Sequence, residues 1–394
     1  MARSQILNGR QSRMSNTENL HQIEIAQLKG VGNVSLALAE GQQAYVFIGE
    51  NGSGKTKVLE AIFQLFFFYS SITNKYARGS IVNLNSVVSQ SVSVGSLTVD
   101  YRKTHLEKHG GTTVERIVSN EHLLHDKPVV FIGSQLRGHV DSKQKSTLIP
   151  LLGSHEERRS KYLKDVLASM AGQFNSLGMN TELENWFLQR AASANRYQKS
   201  RDERSVEIDT VLKLLHQVTA SVDPDYLEVT GDGRVLIKIN DKQVQLEHLS
   251  SGYSSILKIF QCIVAGYGAL TNQTKLETVH GVVVLDEIES HLHVSWQAKI
   301  IPLLKDLFPN TQFYISTHSP LVLAQLHDGE AYSLQRGDEG VVCSVPIQSP
   351  NKSALVDILK QAFAIDLNAM KKESMSAESQ QQAKEALLRL LQDE

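Results

Sequence analysis

Cysteine is scarce in this sequence: there are two in 394 residues, Cys262 and Cys343, each alone in an apolar setting. Two lone thiols build neither a disulfide framework nor a cysteine-based zinc site, which fits a reducing compartment. Net charge is nearly absent too, with 40 Lys and Arg against 42 Asp and Glu. That balance excludes a dedicated basic nucleic-acid module and leaves room only for a local patch. No local apolar run stands out at the ~20 residues that cross a bilayer. The most hydrophobic one, AIFQLFFFY from Ala61 to Tyr69, has the length of a core helix. Residues 1–20 are polar, with Arg3, Arg10 and Arg13 and no apolar stretch behind them, so they read as a flexible tail and not as a secretion signal. Internal repeats, low-complexity tracts and sustained heptads are missing as well, which excludes a long coiled coil. What is present, 41% hydrophobic and 21% charged residues, is the composition of a soluble globular chain with a sizeable core. The cytoplasm is the expected location.

Along the chain, period-2 alternation marks strands around Ile23–Ile25 and Val34–Leu38. A purely apolar strand, Ala44–Ile48, runs straight into a glycine-rich loop, and a helical pattern follows from Lys55 to about Phe68. Residues 93–118 read as a hairpin with Leu97–Tyr101 as one strand and Gly110–Gly111 at the turn, and Val129–Ile132 reads as a buried strand. From 154 to 218 the pattern is helical and charge-rich. Strands return at Tyr226–Val229 and Val235–Ile239, joined by Gly231-Asp232-Gly233. Strand-like runs at 282–285 and 312–316, separated by helical stretches, carry a parallel α/β signature.

The strongest motif is Gly49-Glu50-Asn51-Gly52-Ser53-Gly54-Lys55-Thr56, a complete G-x-x-x-x-G-K-[ST] loop between a strand and a helix. Glycines let consecutive backbone N–H groups curl around phosphate oxygens at a helix N-terminus. Lys55 then reaches the β- and γ-phosphates, and the Thr56 hydroxyl joins the Mg²⁺ shell. The second motif is the strand Val282–Leu285 followed by Asp286 and Glu287. A strand apolar on both faces is buried in a sheet, so these acids project from its carboxyl end into the ligand crevice. Asp286 is the expected Mg²⁺ partner, and Glu287 the group that orients or deprotonates the attacking water. Two weaker motifs are Leu249-Ser250-Ser251-Gly252-Tyr253, opening an apolar helix, and a strand ending in Thr317-His318-Ser319. Alone, the first reads as a helix cap and the second as a structural histidine.

The order of these four motifs resembles that of the ABC-type ATPases. In finer detail, LDEIESHLH and YISTHSPLVLAQL resemble the ATPase domain of the overcoming-lysogenization-defect family and the related ATPases of the Septu, PARIS and retron antiphage systems. The segment Ala354–Leu367 (ALVDILKQAFAIDL) is similar to a helical piece that follows in that family, and the likeness spans roughly residues 21–370. The chain departs from the pattern at Ser251 and Tyr253, where many relatives carry Gly and Gln or Glu. It also shows no acid-rich TOPRIM nuclease region after His318.

The resemblance implies an α/β fold: an ABC-type P-loop ATPase head with an antiparallel β subdomain, a mainly parallel α/β core and a helical insertion. The implied divisions are a tail (1–20), a first lobe with the P-loop (21–153), the insertion (154–220), a second lobe with signature, acids and switch histidine (221–345) and a C-terminal helical segment (346–394). It further implies ATP and Mg²⁺ as ligands and a homodimer or higher homo-oligomer. In that dimer Ser250, Ser251 and Gly252 contact the γ-phosphate held by a second copy's loop, and His318 senses that phosphate. Gln135 is the candidate for the glutamine of the loop joining the lobes, with Gln90 next. The implied role is the sensor or control ATPase of an antiphage system, without a membrane. Its partner would be a separate nuclease of HNH or TOPRIM type, with a retron reverse transcriptase and its nucleic acid as a further partner class. The competing expectations are a RecF-like DNA-repair ATPase, an ATP-gated scaffold with little turnover and, more distantly, a transporter nucleotide-binding subunit.

Three further stretches invite a reading. Glu289, His291 and His293 alternate, but they coincide with the family's subunit-contact loop, so a zinc site is not expected. The basic stretch 190–204, with Arg190, Arg196, Lys199, Arg201, Arg204 and Tyr197, reads as a solvated helix face or a phosphate contact. In the last stretch, Ala383, Ala386, Leu387, Leu390 and Leu391 recur at helical spacing as one apolar stripe, suited to the chain's own core or to a nuclease partner.

Overall fold

The computed structural model describes residues 21–101, 111–118, 123–138, 151–179, 182–194, 202–363 and 365–374. The tail 1–20, the stripe at 377–391 and residues 195–201 of the basic stretch lie outside the described residues. The strands in chain order are β1 (Gln22–Leu28), β2 (Gly32–Ala37), β3 (Ala44–Ile48), β4 (Ile81–Asn83), β5 (Ser91–Val94), β6 (Leu97–Asp100), β7 (Gly111–Thr113) and β8 (Val129–Ile132). They continue with β9 (Val222–Val229), β10 (Val235–Ile239), β11 (Lys242–Gln245), β12 (Val282–Leu285), β13 (Gln312–Ser316), β14 (Ala331–Arg336) and β15 (Val342–Pro346).

Ten of them form one sheet in the order β6-β5-β1-β2-β15-β14-β3-β13-β12-β8. The β3-β13-β12-β8 half is parallel and the β6-β5-β1-β2 end antiparallel, with β2 joined in parallel to β15. The fold is thus α/β, and its antiparallel subdomain is continuous with the core sheet. Register positions the site. Leu285 lies level with Ile132 and Ile315, so Gly133, Asp286 and Ser316 emerge together at the carboxyl edge. Ser316 in turn pairs with Phe47, two residues before the glycine-rich loop begins.

The parallel strands β3, β8 and β12 are buried at every position, and β13 at all but Gln312, because both faces are covered. Tyr45, Phe47, Phe131, Val282, Val284 and Tyr314 point to one face, where helix α1 (Lys55–Tyr69) packs. There Phe63 stacks on Phe67 and meets Phe131 edge-on, both at 5.3 Å between ring centroids. Each such buried side chain contributes about 1.5–3 kcal/mol.

Among the described residues, the region 154–220 holds the α-helices α2 (His155–Ser169), α3 (Leu183–Ser193) and α4 (Ser205–Val218). A reciprocal capping box between Ser154 and Glu157 starts the first of them. On the sheet's other face lie α5 (Ser251–Thr271) and α6 (Ile300–Leu307), against Val46, Ile48, Val283, Leu285, Phe313 and Ile315. By length and composition α5 could cross a bilayer, a property the sequence reading assigned to no segment. Its most apolar window is 89% buried inside the protein, as a core helix requires.

Two expectations are corrected. The hairpin turn in 93–118 is Gly95-Ser96, which joins β5 to β6 with Val94 opposite Leu97. Gly95 takes φ +55°, the left-handed turn geometry that a two-residue hairpin loop selects. Gly111 instead opens β7, which pairs with β4 in a separate small sheet. The basic stretch is not a solvated face at its two ends. Arg190 Nε and Arg204 Nε each donate at 2.7 Å to one oxygen of Glu207, with all three side chains at most 10% exposed. The counter-charge comes from outside the run, from α4, so neither arginine is available to a phosphate. Glu207→Ala would leave two buried guanidinium groups without their carboxylate. It is expected to destabilise the fold by about 3–5 kcal/mol, read as a fall in the denaturant midpoint. An unchanged midpoint would show that the pair contributes nothing.

Candidate functional site

The loop between β3 and α1 closes tightly on itself. At Gly54 φ is +95°, and an added Cβ would stand 2.7 Å from the Val31 side chain; at Gly49 an added Cβ would stand 2.9 Å from the Leu334 carbonyl oxygen. Only glycine satisfies both the geometry and the space. No side chain caps the N-terminus of α1 and its first turn holds no acid, so its N–H groups face the loop cavity. Ser53 Oγ is buried there with no hydrogen-bond partner among the described residues. Lys55 is 6% exposed, and its Nζ donates to the carbonyls of Gly49 and Glu50, both at 2.9 Å. Burial pushes its pKa down, against the pull of Asp286, Glu287 and Glu289. A buried ammonium and an orphaned hydroxyl inside a ring of backbone donors form a cradle for an oxyanion. Glu50, Asn51 and Gly52 form its exposed rim.

Across the cradle, Thr56 Oγ1 donates to both carboxylate oxygens of Asp286, at 3.0 and 3.1 Å. This contact joins residues 230 positions apart. Ser316 Oγ donates to Asp286 Oδ1 at 2.5 Å and accepts from the Glu287 N–H at 2.8 Å. Burial raises the Asp286 pKa, while the Ser316 and Thr56 hydroxyls work against that rise. An all-oxygen pair of hydroxyl and buried carboxylate is the donor set that suits Mg²⁺, so the residues present fit that ion. Glu287 itself is half-buried, with φ +46°, and its Oε2 accepts from Ser290 Oγ at 3.1 Å.

His318 follows β13, half-buried beside these acids. Its backbone N–H and the Thr317 hydroxyl both donate to the Glu289 carboxylate at 2.7 Å. Glu289 therefore ties the switch loop to the segment after the acid pair. Ser250 and Ser251 are exposed at the N-terminus of α5, where no side chain caps the helix. Gly252 lies against Trp296 and the His291 carbonyl, and Ser255 Oγ donates to the Ser290 carbonyl at 3.0 Å. Among the described residues no hydrogen bond links this signature to the loop Gly49–Thr56. Gln135 hangs exposed from the carboxyl end of β8, its N–H donating to the Asn175 carbonyl at 2.9 Å. Gln90 lies just before β5, bonded through its backbone to Ala26 and Tyr101.

Sequence reasoning missed two contributors. Ser316 carried a visible signal, a hydroxyl closing an otherwise apolar strand beside the acids. Arg137 carried none: it is fully buried and donates to the backbone carbonyls of Gly133, Asp286 and Glu287.

Comparison with known proteins adds family context. Residues 44–324 match the family described as "AAA domain, putative AbiEii toxin, Type IV TA system". The chain is 26% identical over 336 residues to the Septu protein PtuA of Bacillus mycoides (strain KBAB4), covering 81% of this chain. The match spans 41% of that protein's length, less than half of it. It is 23% identical over 387 residues to the Retron Vc95 probable ATPase of Vibrio cholerae serotype O1 biovar El Tor, covering 81% of this chain and 73% of that protein. Among solved structures, an SMC head bound to the C-winged helix domain of ScpA superposes with a TM-score of 0.45 at 13% identity, over 83% of this chain and 97% of that one.

Proposed function

The chain belongs to the AAA-domain family just described, and from that premise we propose that it binds ATP with Mg²⁺ and hydrolyses the γ-phosphate bond. The observation that carries this reading is the bond from Thr56 to Asp286, which brings the phosphate cradle and the acid pair into one site. In it, backbone N–H groups of 49–56 and the Lys55 ammonium hold the β- and γ-phosphates. Bound at Thr56 and Asp286, Mg²⁺ supplies charge neutralisation on those phosphate oxygens. Glu287 takes the proton of the attacking water, and His318 donates towards the γ-phosphate.

The site is completed by a second copy of the chain. The uncapped N-terminus of α5, with Ser250, Ser251 and Gly252, packs beside its own Trp296. A helix dipole stabilises a γ-phosphate only at close range, so the signature serves a phosphate that another subunit presents. A two-fold pair with two sandwiched ATPs satisfies both signatures at once. Gln135 links this nucleotide site to the region 154–220 through Asn175.

The physiological reading is a cytoplasmic control ATPase of an antiphage system that acts with a separate nuclease of HNH or TOPRIM type. It is supported by the likeness to Septu and retron proteins and by two free thiols, Cys262 and Cys343. The test is to co-express the chain with a candidate nuclease of HNH or TOPRIM type, purify the chain and measure phosphate release. Co-purification with ATP turnover is expected. Tight ATP binding without turnover would replace the enzyme by an ATP-gated scaffold. Turnover that responds only to bare duplex DNA, with no protein partner, would favour a repair ATPase.

A further inference from the structure

Arg137 is fully buried, and its guanidinium directs its hydrogen bonds to backbone carbonyls. Its Nε donates to the Gly133 carbonyl and its Nη1 to the Glu287 carbonyl, both at 2.8 Å, and its Nη2 donates to the Asp286 carbonyl. Desolvating a guanidinium is costly; three charge-assisted bonds to backbone and the nearby charges of Asp286, Glu289 and Glu287 offset that cost. Two of the three fall on the acid pair of the nucleotide site.

The backbone they hold is strained. Glu287 has φ +46°, a conformation that a residue with a Cβ rarely adopts and that persists only where its surroundings impose it. Ser316 Oγ fixes the N–H of Glu287 and Arg137 its carbonyl, so the peptide is pinned on both sides. The direction of the Cα–Cβ bond, and with it the carboxylate, follows from that pinned backbone. Arg137 is itself placed by a loop anchored twice more. Gly133 and Gln135 donate to the Leu177 and Asn175 carbonyls, both at 2.9 Å. Lys258, from the signature helix α5, donates to the Leu136 carbonyl at 2.6 Å.

We propose that Arg137 is the positioning residue of the hydrolytic step: it locks the Asp286–Glu287 backbone in the left-handed turn that aims the Glu287 carboxylate at the attacking water. The inference rests on the ATPase reading above and names the residue that sets its base. All three guanidinium nitrogens of Arg137 are engaged with the Gly133, Asp286 and Glu287 carbonyls, so it acts through the Glu287 backbone. Because the same loop is gripped by α5 and by the turn Phe174–Ser176, it also gives those elements a path to the base.

The test is a double-mutant cycle on the full chain with Arg137→Met, Glu287→Gln and the double variant, each measured for kcat, ATP Kd and melting temperature. A misaimed base costs about 100-fold in kcat, so Arg137→Met should fall that far while the Kd stays near the wild-type value. The double variant should be no slower than Glu287→Gln alone, because the group being aimed is already gone. Wild-type kcat in Arg137→Met, or losses that multiply in the double variant, would overturn the proposal. If Arg137→Met does not fold, Arg137→Lys takes its place in the cycle, since a single ammonium cannot span both carbonyls. Wild-type kcat in that variant overturns the proposal equally. The wild-type protein is assayed first, so a failure of the ATPase reading shows there, before any variant is compared.

Discussion

Glu287→Gln is expected to lower ATP turnover by about 10²–10⁴-fold, the range over which a general base contributes, while ATP still binds. The substitution is nearly isosteric, and the contact with Ser290 Oγ, 3.1 Å from Glu287 Oε2, survives it. The groups expected to hold the nucleotide, Lys55, Thr56 and Asp286, are untouched. What the amide cannot do is accept a proton from water. Binding and chemistry should therefore separate, with an ATP Kd near the wild-type value and phosphate release almost gone. A dimer held around unhydrolysed ATP should then accumulate, visible as a larger species on size exclusion only when ATP is present. Normal phosphate release would remove Glu287 from the mechanism.

The second large effect is a recovery. Lys55→Ala and Ser250→Arg should each be close to inactive, for different reasons. Lys55→Ala removes the buried ammonium of the phosphate cradle, so ATP itself binds weakly. Ser250→Arg leaves the cradle intact but sets a bulky cation on the exposed N-terminus of α5, which no side chain caps. If the site is shared between copies, a Lys55→Ala/Ser250→Arg heterodimer keeps one intact site, built from the cradle of one chain and the signature of the other. Random pairing of an equal mixture then restores about one quarter of wild-type turnover, since half the dimers carry one good site in two. Nucleotide affinity measured on Ser250→Arg alone should match the wild type. A mixture as inactive as its components would exclude the composite site.

Much of this molecule was legible before any coordinate was known. The apolar strand Ala44–Ile48 and the loop Gly49–Thr56 announce each other, because backbone donors around a phosphate require glycines at fixed places. Val282–Leu285 declared itself a buried strand by lacking a polar position, and so placed Asp286 and Glu287 at a sheet edge. Such features are local: they depend on spacing within ten residues, and spacing is what a linear string records. The α/β class followed from the same alternation of short apolar runs with helical stretches.

Other features belong to the tertiary structure. Arg204 and Glu207 are three residues apart, but nothing in the string says that Arg190, on another helix, shares the same carboxylate. The turn at Gly95 rather than at Gly110–Gly111 was decided by which strands found partners, β5 with β6 and β4 with β7. The length of α5 suited a membrane as well as a core, and its burial between the sheet and its neighbours settled which. Arg137 is the clearest case. An arginine two residues after Gln135 is unremarkable in a string, and its meaning comes from the register of β8 against β12, which sets Gly133 level with Asp286. Charge and hydrogen bonding act through space over a few ångströms, so their partners become visible only once the sheet has brought distant strand ends together.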